Sequence, residues 1–319
     1  MFASQIVGIG AYLPKKVVSN NDLTKRLDTS DEWIASRVGI KQRHIAAEME
    51  FTSHLAIQSA RKALDNAGLS PDTIDLIVVA TTSPDYTFPS TATLVQAALG
   101  IPPCPAFDVQ AVCSGFVYAL STVDNFIRSG QSKCALVIGA ETMSRLVDWN
   151  DRSTCVLFGD GAGAFILTSV SEDTPSRILG TKLYADGAFK QALYTQGGPS
   201  QRFFGTLVMN GREVYKHAVV NMAKAIDAVL EEYRLTYSDI DWIVPHQANQ
   251  RILESLAERL TLPISKVVST IAYHANTSAA TIPLAFHTAI QDGRIQKGHT
   301  IVMPAMGGGF TWGATLLVY

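Results

Sequence analysis

A helical stretch followed by a short buried strand occurs twice in this chain, and the two copies share their residues as well as their pattern. Thr52 to Ala67 carries apolar residues at helical spacing and stops at Gly68; Ile74-Asp75-Leu76-Ile77-Val78-Val79-Ala80 then reads as a strand apolar on both faces. Val214 to Tyr233 and Ile240-Asp241-Trp242-Ile243-Val244-Pro245 repeat the unit, Ile-Asp-x-Ile-Val included. Lys133 to Ala140 is echoed by Lys297 to Pro304, and Gly163 to Leu167 by Gly313 to Leu317. Echoes in one order at a similar offset predict an internal duplication: two βαβαβ halves of an α/β fold, with parallel strands covered by helices. A strand near Ile6 to Ala11 opens the first. The polar stretch Ser171-Glu172-Asp173-Thr174-Pro175-Ser176 reads as the connection, giving halves of 1–172 and 173–319.

Equivalent loops of duplicated halves converge on one central site, so polar residues at matched strand ends are the candidates for chemistry. Two residues fall opposite each other in the repeat. Cys113 lies in Phe107-Asp108-Val109-Gln110-Ala111-Val112-Cys113-Ser114-Gly115-Phe116, an apolar strand turning into an apolar helix. A thiol at a helix N-terminus is expected to have a lowered pKa and to be nucleophilic at neutral pH; the competing reading is an inert buried cysteine. Asn276 lies in Tyr273-His274-Ala275-Asn276-Thr277-Ser278-Ala279-Ala280, where it could simply cap the next helix. His246 ends the second repeated strand, in Val244-Pro245-His246-Gln247-Ala248-Asn249. Alone it reads as a structural hydrogen-bonder; beside Cys113 and Asn276 it reads as catalytic. His274, two residues before Asn276 on an expected extended segment, points the same way and competes with it.

Glycine-rich runs complete the pattern. Gly159-Asp160-Gly161-Ala162-Gly163 leads into a strand rather than from a strand into a helix, which argues against a dinucleotide fingerprint. Gly307-Gly308-Gly309 follows a buried strand, and Gly308 can offer a backbone N–H to an oxyanion alongside that of Cys113.

Composition removes other classes. The net charge of −2 and the lack of a Lys/Arg block leave no field for nucleic acid. No segment reaches the roughly 18 apolar residues of a membrane span, and the N-terminus lacks a basic region before an apolar one, so a soluble cytoplasmic protein is expected. Cys104, Cys113, Cys134 and Cys155 show no CxxC spacing, which speaks against zinc and against a disulfide framework. The first, third and fourth are expected to be small buried hydrophobes.

In these motifs, and in their order, the chain resembles the β-ketoacyl-[acyl-carrier-protein] synthase III family along essentially its whole length. The resemblance implies a thiolase-like five-layered fold, a homodimer, and a condensation needing no metal or redox cofactor. Cys113 would take an acyl group from a short acyl-CoA. Decarboxylation of malonyl-ACP would then give a carbanion that attacks it, with His246 and Asn276 holding the enolate oxygen and the N–H groups of Cys113 and Gly308 the acyl oxygen. The resemblance also implies that Trp33 and Arg152 sandwich the CoA adenine and Arg37 meets its phosphates. Lys216 and Arg251 would dock the acyl carrier protein, and Phe88 of the partner chain and Phe158 would bound the acyl pocket. A degradative thiolase is disfavoured because no cysteine follows Cys155, and an elongating synthase because Asn276 stands where that branch has a second histidine. The remaining alternatives are a specialised synthase using another acyl-CoA and a catalytically inactive scaffold.

Overall fold

The computed structural model describes residues 1–319. The first half of the chain runs β1 (Phe2–Tyr12), β2 (Lys16–Ser19), α1 (Asn20–Thr24), α2 (Asp31–Val38), β3 (Gln42–Ile45), α3 (Thr52–Ala67), β4 (Leu76–Ala80), α4 (Thr91–Leu99), β5 (Ala106–Val109), α5 (Gly115–Arg128), β6 (Cys134–Thr142) and β7 (Asp160–Ser171). The second runs β8 (Arg177–Ala185), β9 (Leu193–Gly198), β10 (Phe203–Met209), α6 (Gly211–Glu232), β11 (Trp242–Ile243), α7 (Gln250–Arg259), α8 (Ile271–His274), α9 (Thr281–Gln291), β12 (Thr300–Gly307) and β13 (Thr311–Val318).

The two main sheets repeat one topology. The order β1-β7-β6-β4-β5 in the first matches β8-β13-β12-β11 in the second, where Ile243 makes a lone parallel bridge to Val267 in the place of β5. Strand directions match as well: antiparallel from β1 to β7 to β6 and from β8 to β13 to β12, then parallel to β4 and to β11. Helix α3 ends where the sequence reading puts it, at Gly68, whose φ of 64° suits glycine and whose N–H bonds the Asp65 and Leu64 carbonyls. Every residue of β4 is buried, as its unbroken apolar run requires.

The strand expected over 240–245 is shorter, and the cause lies in its neighbour. The Val244 N–H donates to the Val302 carbonyl at 2.9 Å and the His246 N–H to that of Pro304 at 2.9 Å, so the chain keeps its line along β12. Pro304 has no N–H to return to Val244, and the regular ladder stops at Ile243.

Three cores show the layering. The middle one packs α5 and α9 between the sheets, with Phe165 of β7 meeting Phe116 at 5.0 Å and Phe286 at 5.2 Å in edge-on contacts. A second sits between α3, α4 and the outer face of the first sheet, and a third joins α6 and α7 to the outer face of the second. Helix, sheet, helix, sheet, helix makes five layers, and the turns leading into the two central helices meet in the middle.

Candidate active site

Cys113 is carried by a strained turn. After β5 the chain makes one short helical turn, Val112–Ser114, before α5 begins at Gly115. Val112 has φ of 49°, a left-handed conformation that costs a β-branched residue about 1–2 kcal/mol. Ser278, which opens the equivalent turn before α9, has φ of 50°, so the two halves place matching kinks at the same step; Cys113 therefore lies opposite Ala279, and Asn276 sits two residues before the second kink rather than opposite Cys113 as the repeat suggested. The second half locks the first kink. Ser114 Oγ donates to the Ala111 carbonyl at 2.8 Å, and Thr311 Oγ1 of β13 donates to the same carbonyl at 3.0 Å. Gly307 lies so close that a Cβ there would sit 2.6 Å from the Cys113 nitrogen.

Asn276 is held from both ends. Its N–H donates to the Leu157 carbonyl and its carbonyl accepts from the Gly159 N–H, each at 3.0 Å, which brackets Phe158. Its Oδ1 accepts the Ser278 N–H at 2.9 Å, so the amide cannot flip without losing that bond and Nδ2 is left as a free donor. This Asx turn replaces the helix cap that the sequence allowed. The loop of His246 is fixed by the next residue: Gln247 Nε2 donates to the Pro245 and Val268 carbonyls, and its Oε1 accepts from the Thr270 N–H. The His246 ring contacts Thr281 Oγ1 through Nδ1 at 2.7 Å. Burial pushes its pKa down to about 3, so the ring is neutral at physiological pH.

Cys113, His246 and Asn276 line one cavity of about 70 Å³, with Phe158, Leu193 and Met306 among its walls. Larger depressions, such as an open one of about 550 Å³ beside Lys190, Tyr194 and Phe203, carry none of the three. Burial pushes the Cys113 thiol up to about 12, against lesser opposing hydrogen bonds from Ser278 and from its own backbone, so the resting group is a thiol, contrary to the sequence expectation. Alkylation by iodoacetamide, followed by intact mass, is therefore expected to quicken about tenfold per pH unit from roughly pH 7 to pH 10. A rate that levels off near neutral pH would instead mean that the helix terminus prevails.

His274 does not compete. It closes the short helix α8 instead of lying on an extended segment, it is absent from the cavity wall, and burial lowers its pKa to about 4. Two residues near the site went unread in the sequence. One is Thr281, and the other is Glu141 at the end of β6, buried and accepting from Ser83 Oγ at 2.6 Å and the Thr82 N–H at 3.1 Å. A carboxylate closing an otherwise apolar strand was the available signal for the second.

The remaining candidates form an outer group. Arg37 and Arg152 lie 5.8 and 5.5 Å from the ring centroid of Trp33, which is 36% exposed. Arg251 Nη2, on α7, donates to the carbonyl of Ser36 on α2, the helix that carries Trp33 and Arg37, at 3.1 Å, whereas Lys216 is exposed on α6. Phe158 lines the cavity, whereas Phe88, 84% exposed on the loop after β4, does not.

Comparison with known proteins places this arrangement. Residues 107–187 match the family model of 3-oxoacyl-[acyl-carrier-protein (ACP)] synthase III, and residues 230–319 match its C-terminal model. The β-ketoacyl-[acyl-carrier-protein] synthase III of Erythrobacter litoralis is 58% identical over 321 residues, covering all of both chains, and that of Rhodospirillum centenum is 58% identical over 98% of each. The chain belongs to the β-ketoacyl-[acyl-carrier-protein] synthase III family. The crystal structure of the family member from Aquifex aeolicus, 51% identical, superimposes with a TM-score of 0.94 over 99% of this chain and 100% of that one. The priming β-ketosynthase of the R1128 polyketide pathway aligns as well, with a TM-score of 0.93 over 99% of this chain and 96% of that one, but is only 34% identical. The specialised-synthase alternative is thus the more distant one. As a synthase III the protein is a condensing acyltransferase of fatty acid synthesis, with a thiolase-like fold.

Membership gives Gly307 a testable role. Gly307→Ala puts a methyl against the backbone of the nucleophile, and a shift of about 1 Å there is worth on the order of 10²-fold in rate. Condensation is expected to fall by about that factor in protein that still unfolds cooperatively; a wild-type rate in the variant would refute it.

Proposed function

We propose that the protein condenses a short acyl group from acyl-CoA, acetyl-CoA in the first place, with malonyl-ACP, giving a β-ketoacyl-ACP, CoA and carbon dioxide. The observation that carries the assignment of roles is the convergence of Cys113, His246 and Asn276 on one buried cavity, with the Asn276 amide oriented as a donor. Cys113 Sγ attacks the thioester carbon and becomes acylated. The malonyl thioester then loses carbon dioxide, and the charge that develops on its carbonyl oxygen is met by Asn276 Nδ2 and by an N–H of His246. A neutral imidazole and an amide suit this step, because neither brings a net charge into a site with little water. The N–H groups of Cys113 and Gly308 take the acyl oxygen as the carbanion attacks.

A cavity of about 70 Å³ favours a small acyl group. Trp33 with Arg37 and Arg152 offers a ring and two guanidinium groups to an adenine and its phosphates. Arg251 and Lys216 would receive the acidic carrier protein. An exposed Phe88 fits a homodimer in which each chain closes its partner's pocket. Each charge the reaction develops has a protein donor, so this reading calls for no metal or redox cofactor. It assigns the nucleophile to 1–172 and its partners to 173–319. Four free cysteines fit the reducing cytoplasm.

The test is intact-mass spectrometry of the protein after acetyl-CoA, with peptide mapping, followed by malonyl-ACP. An acetyl group on Cys113 that is discharged as acetoacetyl-ACP supports the reading. Loading only by longer or aromatic acyl-CoAs moves the chain to the specialised branch, and no loading by any thioester sinks the mechanism.

A further inference from the structure

One hydroxyl next to the site has a single hydrogen and two acceptors within reach. Thr281 Oγ1, at the start of α9, lies 2.9 Å from the Ser278 carbonyl oxygen and 2.7 Å from His246 Nδ1. All three residues are buried, so water cannot substitute for a missing partner. If the hydroxyl donates to the Ser278 carbonyl, its lone pair must receive a hydrogen from Nδ1, and both short contacts are then hydrogen bonds. If it donates to Nδ1 instead, the contact with the Ser278 carbonyl is no longer one, and that oxygen keeps only the Thr281 backbone N–H. The first arrangement satisfies more groups. It places the imidazole hydrogen on Nδ1 and leaves Nε2, which makes no hydrogen bond to the protein, as a bare lone pair on the ring that borders the Cys113 cavity.

We propose that Thr281 is a positioning residue that sets the tautomer of His246, making Nε2 the proton acceptor for the Cys113 thiol when the acyl group is loaded. The inference rests on the synthase reading above. In this step the Cys113 hydrogen passes to Nε2 as the Sγ–C bond forms. Collapse of the adduct breaks the bond from carbon to the CoA sulfur, which takes the hydrogen from Nε2 and leaves as the free thiol. Electrons and protons balance, and the ring returns to its Nδ1–H form. The requirement for a base is real, because a buried thiol does not ionise by itself near neutral pH. For the second substrate the ring must carry its hydrogen on Nε2, a tautomer that the same hydroxyl accommodates by rotating to donate to Nδ1; Nε2–H then donates to the malonyl carbonyl oxygen. Thr281 is thus the pivot between an accepting and a donating histidine.

The experiment combines nitrogen-15 NMR of histidine-labelled protein, with the His246 signals assigned through His246→Gln, and stopped acylation by acetyl-CoA read as mass on Cys113. The resting wild type is expected to show the Nδ1–H form. Thr281→Val, which keeps shape and removes the hydroxyl, is expected to lose that preference and to acylate roughly 10²-fold more slowly, with acetyl-CoA affinity unchanged. Thr281→Ser restores both and shows that the hydroxyl rather than packing is responsible. An Nε2–H wild type, or a folded Thr281→Val that loads at the wild-type rate, overturns the proposal. The tautomer is read on resting protein. A wild type in the Nδ1–H form that takes no acyl group from any thioester therefore upholds the tautomer assignment while overturning the synthase reading.

Discussion

Cys113→Ala takes up no acyl group from acetyl-CoA, and its condensation rate falls by at least about 10⁴-fold, because no other thiol borders the cavity. The same variant should still release carbon dioxide from malonyl-ACP. Asn276 and His246 are held by backbone and side-chain bonds that do not involve the thiol, so the donors for the enolate oxygen stay in place. Labelled malonyl-ACP, followed for carbon dioxide and for acetyl-ACP, reads the two half-reactions separately. Loss of both would mean that Cys113 also shapes the malonyl site, and the division of labour proposed above would then be wrong.

Asn276→Asp is the complementary case. Aspartate has the same shape and can still accept the Ser278 N–H, but an oxygen then occupies the position of the Nδ2 donor. Acylation of Cys113 is expected to proceed within a few-fold of the wild type, whereas condensation falls by about 10²- to 10³-fold, the usual scale for one lost oxyanion donor. Repulsion between a carboxylate and the enolate makes this substitution at least as severe as Asn276→Ala. Single-turnover discharge of acetylated protein by malonyl-ACP is the measurement; a discharge rate like that of the wild type would remove Asn276 from the mechanism.

Much of this was visible in the residues before any coordinates. Parallel strands covered on both faces have to be apolar throughout, so β4 and β6, and the recurrence of their pattern in the second half, could be read directly. The repeat also pointed to the loops of Cys113 and Asn276, though it paired the two residues themselves wrongly: the turn 112–114 matches 278–280, which sets Cys113 opposite Ala279. β11 was overdrawn because its length depends on a missing donor at Pro304, sixty residues further on, which no local pattern reveals. The protonation of Cys113 was misjudged for a related reason: a helix terminus is legible in sequence, but the depth at which the fold buries it is not. Thr281 was passed over because a threonine at a helix start is ordinary, and its partner, His246, lies 35 residues earlier. Trp33, Arg37 and Arg152 illustrate the reverse, since family resemblance alone names them and the fold brings both guanidinium groups within 6 Å of the Trp33 ring.

The twin kinks at Val112 and Ser278 bear on how such a protein can diversify. Each of these turns is pressed against main chain of the other half: Gly307 against the Cys113 nitrogen, and Gly139 of β6 against the Ala279 carbonyl, where a Cβ would come within 2.4 Å. Mutation has almost no freedom there, since any side chain larger than hydrogen displaces a turn that frames the site. The opposite wall, built from side chains of α6 such as Val214, Ala218 and Met222, has no such constraint and can change size one residue at a time. Inheritance of the chemistry and adaptation of substrate range are therefore assigned to separate parts of the chain, and new specificities can be sampled without passing through inactive intermediates.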